Sequence, residues 1–244
     1  MNILNKLINK AKKVYYTSSS ERYIKYLRKR GVKIGLGCIF RDVKTSRIDI
    51  TRPSLVEIGN NVDMNHNFQI MTHDWASGVF RNVFHNILPS SGKVKIGNNI
   101  YFGTDVIVLK GVTIGDNCVI AAGSIITKDI PANSVAAGVP AKVICTLEEY
   151  YEKRKVACIE EAFEYARSIQ ERFNRKPVIS DFWEEFPLFV EGEENLFDRQ
   201  LIIRQLGGEE NFNIWKKQHK APFKSFEEFI DTANKKLNYI AKFL

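Results

Sequence analysis

The chain has 244 residues, of which 44% are hydrophobic and 26% are charged, and its formal net charge is +8. This length suits one large domain or one domain with a small companion, and no apolar run reaches the 18 residues that a membrane-spanning helix needs. The positive charge does not indicate a nucleic-acid-binding protein, because residues 1–33 carry +9, the rest of the chain carries −1, and no basic motif is interleaved with aromatic residues.

The N-terminal segment, residues 1–30, is predicted to be helical and basic. Ser19 or Ser20 can cap a helix through "RYIKYLRKR", and Gly31 can end it. This segment either packs on the body of the protein with a solvated basic face, or contacts an anionic membrane surface or acidic glycan carriers. No secretory signal is expected, because "MNILNKLINKAKK" has no long apolar stretch. An amphipathic helix is predicted before residue 17 by apolar residues at helical spacing, namely Leu4, Leu7, Ile8, Ala11, Val14 and Tyr15.

A six-residue repeat dominates the middle of the chain. It begins near Ile34, blurs through residues 41–56, resumes at Ile58, breaks after Ile70, and returns at Ile96. Neither a helix nor a plain strand repeats every six residues, whereas a short strand followed by a corner does. Three such units bring the chain back over its start, which predicts a β-solenoid. The alternative is a β-sandwich whose strands have this spacing by chance. The unbroken run is Ile96, Phe102, Val108, Ile114, Ile120 and Ile126.

The repeat is interrupted by residues 71–93, "MTHDWASGVFRNVFHNILPSSGK", which we call the excursion. It contains two histidines and several aromatic residues, and it has no six-residue order. An irregular insertion in a rigid stack of strands is a place where functional residues tend to lie.

After "AAGVPAKVI" the pattern becomes helical. Residues 147–173 are predicted to form one long helix, and residues 178–244 shorter ones, so that residues 147–244 make a helical extension. Its aromatic residues are expected to form a small core rather than a ligand site. They include Phe182, Trp183, Phe186, Trp215, Phe226 and Phe229.

The segments "IGNNVDMNHNFQIMTHD", "VKIGNNIYFGTDVIVLKGVTIGDNCVIAAGSIITKDIP" and "AAGVPAKVI" resemble the left-handed β-helix acetyltransferases of the hexapeptide-repeat family. The resemblance covers residues 31–146 and implies a mainly β fold, a left-handed parallel β-helix. It also implies a homotrimer with acetyl-CoA in the groove between neighbouring solenoids. The narrower likeness is to O-acetyltransferases of surface-polysaccharide biosynthesis, which implies transfer to a sugar hydroxyl.

The resemblance implies that His73 is the general base, since acetyl transfer to a hydroxyl requires removal of its proton. Either Asp74 or a backbone carbonyl is expected to orient the ring. The backbone N–H of Thr104 is the expected donor to the oxygen of the thioester. His85 is the competing base, while His66 and His219 are expected to be structural.

The excursion is expected to supply the acceptor-binding residues Asp74, Trp75, Phe84 and His85. Aromatic faces such as those of Trp75, Phe80 and Phe84 stack on sugar rings, although these residues can equally pack the excursion. The resemblance assigns the acetyl-CoA contacts. Tyr101 stands where many members have tryptophan, and Cys145 where sugar acetyltransferases often have arginine. The expected acetyl-CoA contacts are Tyr101, Thr104, Ala122, Gly123, Thr127, Lys128 and Lys142.

Three alternatives remain open at this stage. They are N-acetylation of an amino sugar, acetylation of a xenobiotic, and a non-catalytic structural solenoid. A metal-dependent hydratase with this solenoid needs three converging histidines, and none follows His85 until His219, so no metal is expected. The unpaired spacing of Cys38, Cys118, Cys145 and Cys158 indicates reduced thiols in a cytoplasmic protein.

Overall fold

The computed structural model describes residues 14–192 and 198–240, with the backbone alone for 236–240. The chain divides into two compact units, Met1–Tyr151 and Glu152–Leu244. The amphipathic pattern predicted over Leu4–Ala11 lies outside the described residues. The first unit contains helix α1 (Ser20–Arg30), helix α2 (Ser77–Phe84), the start of helix α3 (Leu147–Phe173) and fourteen strands. These strands are β1 (Lys33–Ile34), β2 (Ile39–Phe40), β3 (Arg47–Ile48), β4 (Val56–Ile58), β5 (Val62–Met64), β6 (Gln69–Ile70), β7 (Val94–Ile96), β8 (Ile100–Phe102), β9 (Ile107–Val108), β10 (Thr113–Ile114), β11 (Cys118–Ile120), β12 (Ile125–Ile126), β13 (Ser134–Gly138) and β14 (Ala141–Thr146).

The strands form three sheets that the chain visits in turn. Sheet A has the order β1-β4-β7-β10, sheet B has β14-β13-β11-β8-β5-β2, and sheet C has β12-β9-β6-β3. All pairs are parallel except β13 with β14. In the regular part each residue pairs with the one 18 positions later, as in Lys95 with Thr113 and Ile107 with Ile125. Three six-residue units therefore complete one coil, as the repeat predicts.

The same registers explain where the repeat fades. The first coil pairs Lys33 with Glu57 and Arg47 with Gln69, which is a longer step than 18. The extra residues lie in the blurred region 41–56, where the sequence pattern did not reveal strand β3. The step from Glu57 to Lys95 is longer still, because it contains the excursion.

The interior of the coil contains three ladders of apolar side chains, one for each sheet. Each turn of the coil adds one residue to each ladder. Such stacking removes nearly all of each inward side chain from water, which contributes about 1.5–3 kcal/mol for each large one. The ladders are Ile34, Ile58, Ile96 and Ile114 in sheet A, Phe40, Met64, Phe102 and Ile120 in sheet B, and Ile48, Ile70, Val108 and Ile126 in sheet C.

The corners between sheets A and B use glycine and asparagine for different reasons. Asn99 and Asn117 adopt left-handed backbone with φ of 55° and 57°, which asparagine tolerates. Gly97 does not have a positive φ. A Cβ there would lie 2.3 Å from the Asp116 Oδ1 of the next coil, so this glycine is required for space between the coils.

Helix α1 begins and ends as the sequence predicts. The Ser19 side chain accepts a hydrogen bond from the Arg22 N–H, and Gly31 ends the helix with φ of 102°. Tyr23, Ile24 and Leu27 are buried in the core of the first unit. The basic residues of α1 are exposed at its last turn.

The second unit is helical and has its own aromatic core. Helix α3 coincides with the predicted long helix, and α4 (Arg199–Gln205), α5 (Glu209–Gln218) and α6 (Phe226–Ile240) follow. Phe182, Phe186 and Phe229 are buried together, while Trp183 is exposed. The expectation of a small core is confirmed for most of these aromatic residues, but it is wrong for Trp183.

Candidate active site

The corner between sheets C and A collects the polar residues that could perform chemistry. Strand β3 is followed by Asp49, strand β6 by the excursion with His73, and strand β9 by Lys110. Because β3, β6 and β9 are neighbours in sheet C, these segments lie one above another. We call this edge the C–A corner.

His73 is held by a carboxylate from the coil below. Its Nδ1 lies 2.6 Å from Asp49 Oδ2, and the side chains are 33% and 9% exposed, respectively. The expectation that Asp74 or a backbone carbonyl orients the ring is wrong, because the observed partner is Asp49. Sequence reasoning missed it because Asp49 precedes His73 by 24 positions and lies where the repeat blurs.

Asp49 accepts several further hydrogen bonds. The Thr72 Oγ1 donates to its Oδ2 at 2.5 Å, and the Thr51 Oγ1 donates to its Oδ1 at 2.6 Å. Burial alone would raise the pKa of Asp49, but the hydrogen bonds from Thr51, Thr72 and His73 outweigh it and hold the pKa well below its usual range. The carboxylate is therefore ionised at neutral pH, and it can only accept from His73.

Asp74 points to a different partner from that of His73. Its carboxylate pairs with the Lys110 ammonium and accepts from the Ser90 Oγ at 3.0 Å. The ion pair with Lys110, then the hydrogen bonds from the Ala76 N–H and Ser90, lower the pKa of Asp74 to about 2. This cluster fastens the excursion to strand β9 of the coil.

The two ends of the excursion are hydrogen-bonded to each other. His73 forms an antiparallel bridge with Ser91, and the Gly92 N–H donates to the Thr72 carbonyl at 2.9 Å. Farther out, the Ser77 hydroxyl donates to the Leu88 carbonyl. His73 therefore lies at a fixed root, while helix α2 extends beyond it.

The expected acceptor residues occupy the outer part of the excursion. Trp75 and Phe84 are 67% and 69% exposed. His85 is also exposed and ends α2 in left-handed backbone with φ of 48°. Phe80 contacts Phe84 with 6.4 Å between ring centroids. No hydrogen bond places His85 beside His73 among the described residues.

The other two histidines have contacts of their own. The His66 ring lies 2.7 Å from the Asn65 side-chain oxygen, in an exposed corner. His219 bonds to the Pro187 carbonyl at 2.6 Å and stacks on Trp215. The contacts of His219 are those of a packed side chain, whereas the structural role expected for His66 stays a prediction.

The expected acetyl-CoA contacts fall mainly at another corner, between sheets B and C. Thr104 follows β8, Ala122 and Gly123 follow β11, and the Gly123 N–H donates to the Thr104 carbonyl at 2.8 Å. Tyr101 is an exposed residue of β8. Within residues 14–192 and 198–240, no group accepts a hydrogen bond from the Thr104 N–H. We call this edge the B–C corner.

The B–C corner leaves room for a ligand chain close to the backbone. Ala122 and Gly123 are exposed, and a Cβ added to Gly123 would meet nothing within 4 Å. The expected lysines are also available, since neither Lys128 nor Lys142 is paired with a carboxylate in the described part of the chain. Thr127 and Lys128 follow β12 at the C–A corner, while Lys142 lies on β14. Cys145 is partly buried on the same strand. The structure thus places five of the expected residues at the two edges of sheet C, while Tyr101 and Lys142 lie on strands of sheet B.

The described residues contain no metal-binding group and no disulfide. No three His, Cys, Asp or Glu side chains converge there as a metal-binding group, and all four cysteines are free thiols. Over the same residues, none of the helices combines the length and the apolar character needed to cross a membrane.

Comparison with known proteins identifies the repeat. The family profile described as "Bacterial transferase hexapeptide (six repeats)" matches residues 93–128. Protein CapG of Staphylococcus aureus is 37% identical over 127 residues, which cover 52% of this chain and 73% of CapG. The chain belongs to the hexapeptide-repeat transferase family. The expected membership is confirmed.

Two further relatives carry informative names. The galactoside O-acetyltransferase of Escherichia coli (strain K12) is 42% identical over 110 residues, which cover 37% of this chain and 54% of that protein. A solved galactoside acetyltransferase in complex with coenzyme A is 26% identical, covers 57% of this chain and 79% of that one, and superposes with a TM-score of 0.37. The expected class, an acyltransferase, is confirmed by relatives named as acetyltransferases. The chain spans only about half the length of some of them.

Proposed function

We propose that this hexapeptide-repeat transferase moves an acetyl group from acetyl-CoA to a sugar hydroxyl, with His73 as the general base. The observation that carries the proposal is the His73–Asp49 pair at the fixed root of the excursion. The family and the name of the galactoside O-acetyltransferase support the reaction class and the sugar hydroxyl. By the same family likeness, we propose that the coil is left-handed, that the protein is a homotrimer, and that it serves surface-polysaccharide biosynthesis.

The hydrogen-bond network determines which nitrogen of His73 is basic. Because Asp49 is ionised and can only accept, the His73 Nδ1 carries the hydrogen and Nε2 keeps its lone pair. His73 Nε2 would take the proton of the acceptor hydroxyl as its oxygen bonds to the acetyl carbon. When the C–S bond breaks, the same nitrogen would return the proton to the leaving thiolate.

The B–C corner supplies the parts proposed for the acetyl-CoA side. Within the described residues the Thr104 N–H donates to no acceptor, which suits it to the negative oxygen that develops during transfer. Exposed Ala122 and Gly123 leave space for the pantetheine arm. Lys142 on β14 and Lys128 from the C–A corner of a neighbouring copy can meet phosphates as point charges, since neither is in an ion pair within the described residues. Tyr101 and the neighbouring copy's Thr127 add contact area.

The arrangement favours a site shared between copies of the chain. His73 lies at the C–A corner and Thr104 at the B–C corner, on opposite edges of sheet C. A groove between two neighbouring solenoids would join one edge of each, as a trimer with closed symmetry allows. The exposed Trp75, Phe84 and His85 would then border the acceptor, with Asp74 fastening the excursion that presents them.

The location of the enzyme is proposed from its thiols and its charge. Four free cysteines suit a cytoplasmic compartment that keeps thiols reduced. Helix α1 exposes Arg28 and Lys29 in its last turn, and we propose that the basic N-terminal segment contacts the anionic inner face of the membrane through such residues.

The test combines acetyl-CoA binding with one substitution. Acetyl-CoA at 100 times its Kd should raise the free energy of unfolding by about 2.7 kcal/mol, seen as a higher melting temperature. His73→Ala should reduce acetyl transfer to a panel of galactosides by about 10²–10⁴-fold and keep the acetyl-CoA shift. The comparison variant His85→Ala should keep kcat and change at most the KM for the galactoside, because His85 borders the acceptor. If His85→Ala loses acetyl transfer and His73→Ala keeps it, His73 is not the base. If millimolar acetyl-CoA does not raise the melting temperature, acetyl-CoA is not the acetyl donor.

A further inference from the structure

A cavity of about 710 Å³ lies between helix α1 and the first coil, and the proposed acetyl transfer does not use it. Its volume is within the range of sites that hold metabolite-sized ligands. All of it belongs to the first unit. The lining residues are Tyr16, Thr17, Tyr23, Tyr26, Arg30, Val43, Lys44, Ser46, Arg47 and Ile50.

The charge of this cavity has one sign. Arg30, Lys44 and Arg47 line it, and no aspartate or glutamate does. None of the three side chains pairs with a carboxylate in the described part of the chain. By contrast, Lys33 and Lys93 both pair with Glu57 in the same unit. Three cations that line one cavity and have no ion pair within the described residues favour an anionic ligand, and arginine in particular suits phosphate oxygens.

The rest of the lining is aromatic. The Tyr16 and Tyr26 rings have centroids 4.9 Å apart, and Tyr26 stacks with Tyr23 at 6.5 Å. Burial raises the pKa of Tyr23 to about 12, against a smaller lowering by a hydrogen bond with the Ile48 backbone. This phenol is therefore neutral at pH 7. Tyrosine faces stack on planar rings, as nucleotide-binding surfaces use them.

We propose that this cavity binds a nucleoside diphosphate, with the phosphates toward Arg30, Lys44 and Arg47 and the base against the tyrosines. An inorganic anion would leave the aromatic surface unused, and an uncharged ring would leave the three cations unpaired. The ligand is either the free nucleotide or the nucleotide part of an activated sugar.

The site touches the proposed catalytic residues through the backbone. Ile50 lines the cavity and directly follows Asp49, and Arg47 lies on strand β3, which ends just before Asp49. A ligand that fixes residues 47–50 would therefore also fix the support of His73. The binding itself does not depend on the proposed acetyl transfer, so the two can fail separately.

Calorimetry with the intact protein tests the ligand class. UDP or ADP should bind at least about tenfold more tightly than pyrophosphate or uridine, because only the whole nucleotide engages both the cations and the rings. Its affinity should fall as salt rises. If pyrophosphate binds as tightly as UDP, the cavity is only an anion site and the proposal is overturned. The proposal is also overturned if neither UDP nor ADP binds at millimolar concentration. Tighter binding of UDP-glucose than of UDP would assign the ligand to activated sugars, and equal binding to the free nucleotide.

Substitutions of the cavity residues test whether UDP binds in this cavity. Arg30→Gln and Arg47→Gln should each weaken UDP about tenfold or more, since each removes a charged phosphate contact. Lys29→Gln is the matched control, because Lys29 is the neighbouring exposed cation of α1 and does not line the cavity. Equal loss in Lys29→Gln and Arg30→Gln would mean a diffuse charge effect and no site.

Coenzyme A contains an adenosine diphosphate unit, so the cavity must be separated from the proposed acetyl-CoA groove. Ala122→Trp fills space at the B–C corner and leaves the cavity lining intact. This variant should lose the acetyl-CoA shift and keep UDP binding. Loss of UDP binding in Ala122→Trp would place the nucleotide in the groove and overturn the proposal.

Discussion

Asp49 is held more firmly than the histidine it supports. Its two carboxylate oxygens accept from the backbone N–H and hydroxyl groups of Thr51 and Thr72, in addition to the His73 ring. A carboxylate with this many donors cannot turn without breaking several bonds at once. The ring of His73 is thereby fixed in position and in tautomer.

Replacing Asp49 should therefore impair catalysis more than binding. In Asp49→Asn the side-chain amide can donate to Nδ1, which would move the ring hydrogen to Nε2 and remove the base. We expect kcat to fall by about 10²–10⁴-fold while KM for acetyl-CoA stays unchanged. Steady-state kinetics measure both constants, and Asp63→Asn, which alters only an exposed ion pair with Arg41, is the control. An unchanged kcat in Asp49→Asn would show that the carboxylate does not set the tautomer.

At the scale of elements, the excursion depends on a few polar contacts at its root. Asp74, Ser90 and Lys110 form one cluster, and the Arg52 guanidinium donates to the Ser90 carbonyl at 3.3 Å. Beyond the root, many of the large apolar side chains of the excursion are exposed. The excursion therefore has few buried apolar contacts beside the cluster, so its attachment should be sensitive to polar substitutions there.

Loss of the Asp74 charge should loosen the excursion without unfolding the coil. In Asp74→Asn the ion pair with Lys110 is lost, so trypsin should cleave after the exposed Arg81 several-fold faster than in the unchanged protein. Asp105→Asn is the control, because it is also a carboxylate-to-amide change on the coil and its bond partner is Asn67. Once the two variants are shown to have equal melting temperatures, the rate of tryptic cleavage after Arg81 is compared between them. Equal rates would mean that the ion pair of Asp74 does not hold the excursion in place.

The same carboxylate predicts a pH dependence. The Asp74 pKa is lowered to about 2, whereas an unfolded aspartate titrates near about 3.9. A lowered pKa in the folded state means that the stabilisation is fully present above about pH 4 and is lost as the pH falls toward 2. Pepsin should therefore cleave the unchanged protein beside Phe80 and Phe84 faster as the pH falls from 4 to 2. This increase is measured as the ratio of its cleavage rate to that of Asp74→Asn, which lacks the titrating group. A constant ratio of the two rates over this range would contradict the prediction.

At the scale of the whole molecule, the sequence pattern predicts the regular coils but not the contacts that depend on how the strands pair. From Ile96 to Ile126 an inward-facing apolar residue occurs every six positions, and the strands of that region pair as the repeat predicts. Asp49 could not be found in this way, because its meeting with His73 depends on β3 pairing with β6 across an irregular first coil. Trp183 shows a similar limit, since helical spacing does not state which aromatic residues a small core includes.

The register also separates the candidate residues in a way that spacing does not reveal. His73 and Lys128 belong to the C–A corner, whereas Thr104 and Ala122 belong to the B–C corner. Sheet C lies between them in every coil. If both sets serve one reaction, two copies of the chain must contribute to each site, and a mixture of defective copies can then regain activity.

Co-expression of two inactive chains tests this sharing. His73→Ala removes the base from the C–A corner, and Ala122→Trp blocks the B–C corner, so each homo-oligomer should be inactive. Mixed trimers should recover about a third of the unchanged activity, because one of the three interfaces in each mixed trimer then joins an intact histidine to an open groove. Mixed oligomers are isolated with two affinity tags and assayed for acetyl transfer. A double substitution, His73→Ala with Ala122→Trp, co-expressed with either single variant is the control and should stay inactive. If the doubly tagged mixture is also inactive, both corners act within one chain and the substrate must span sheet C.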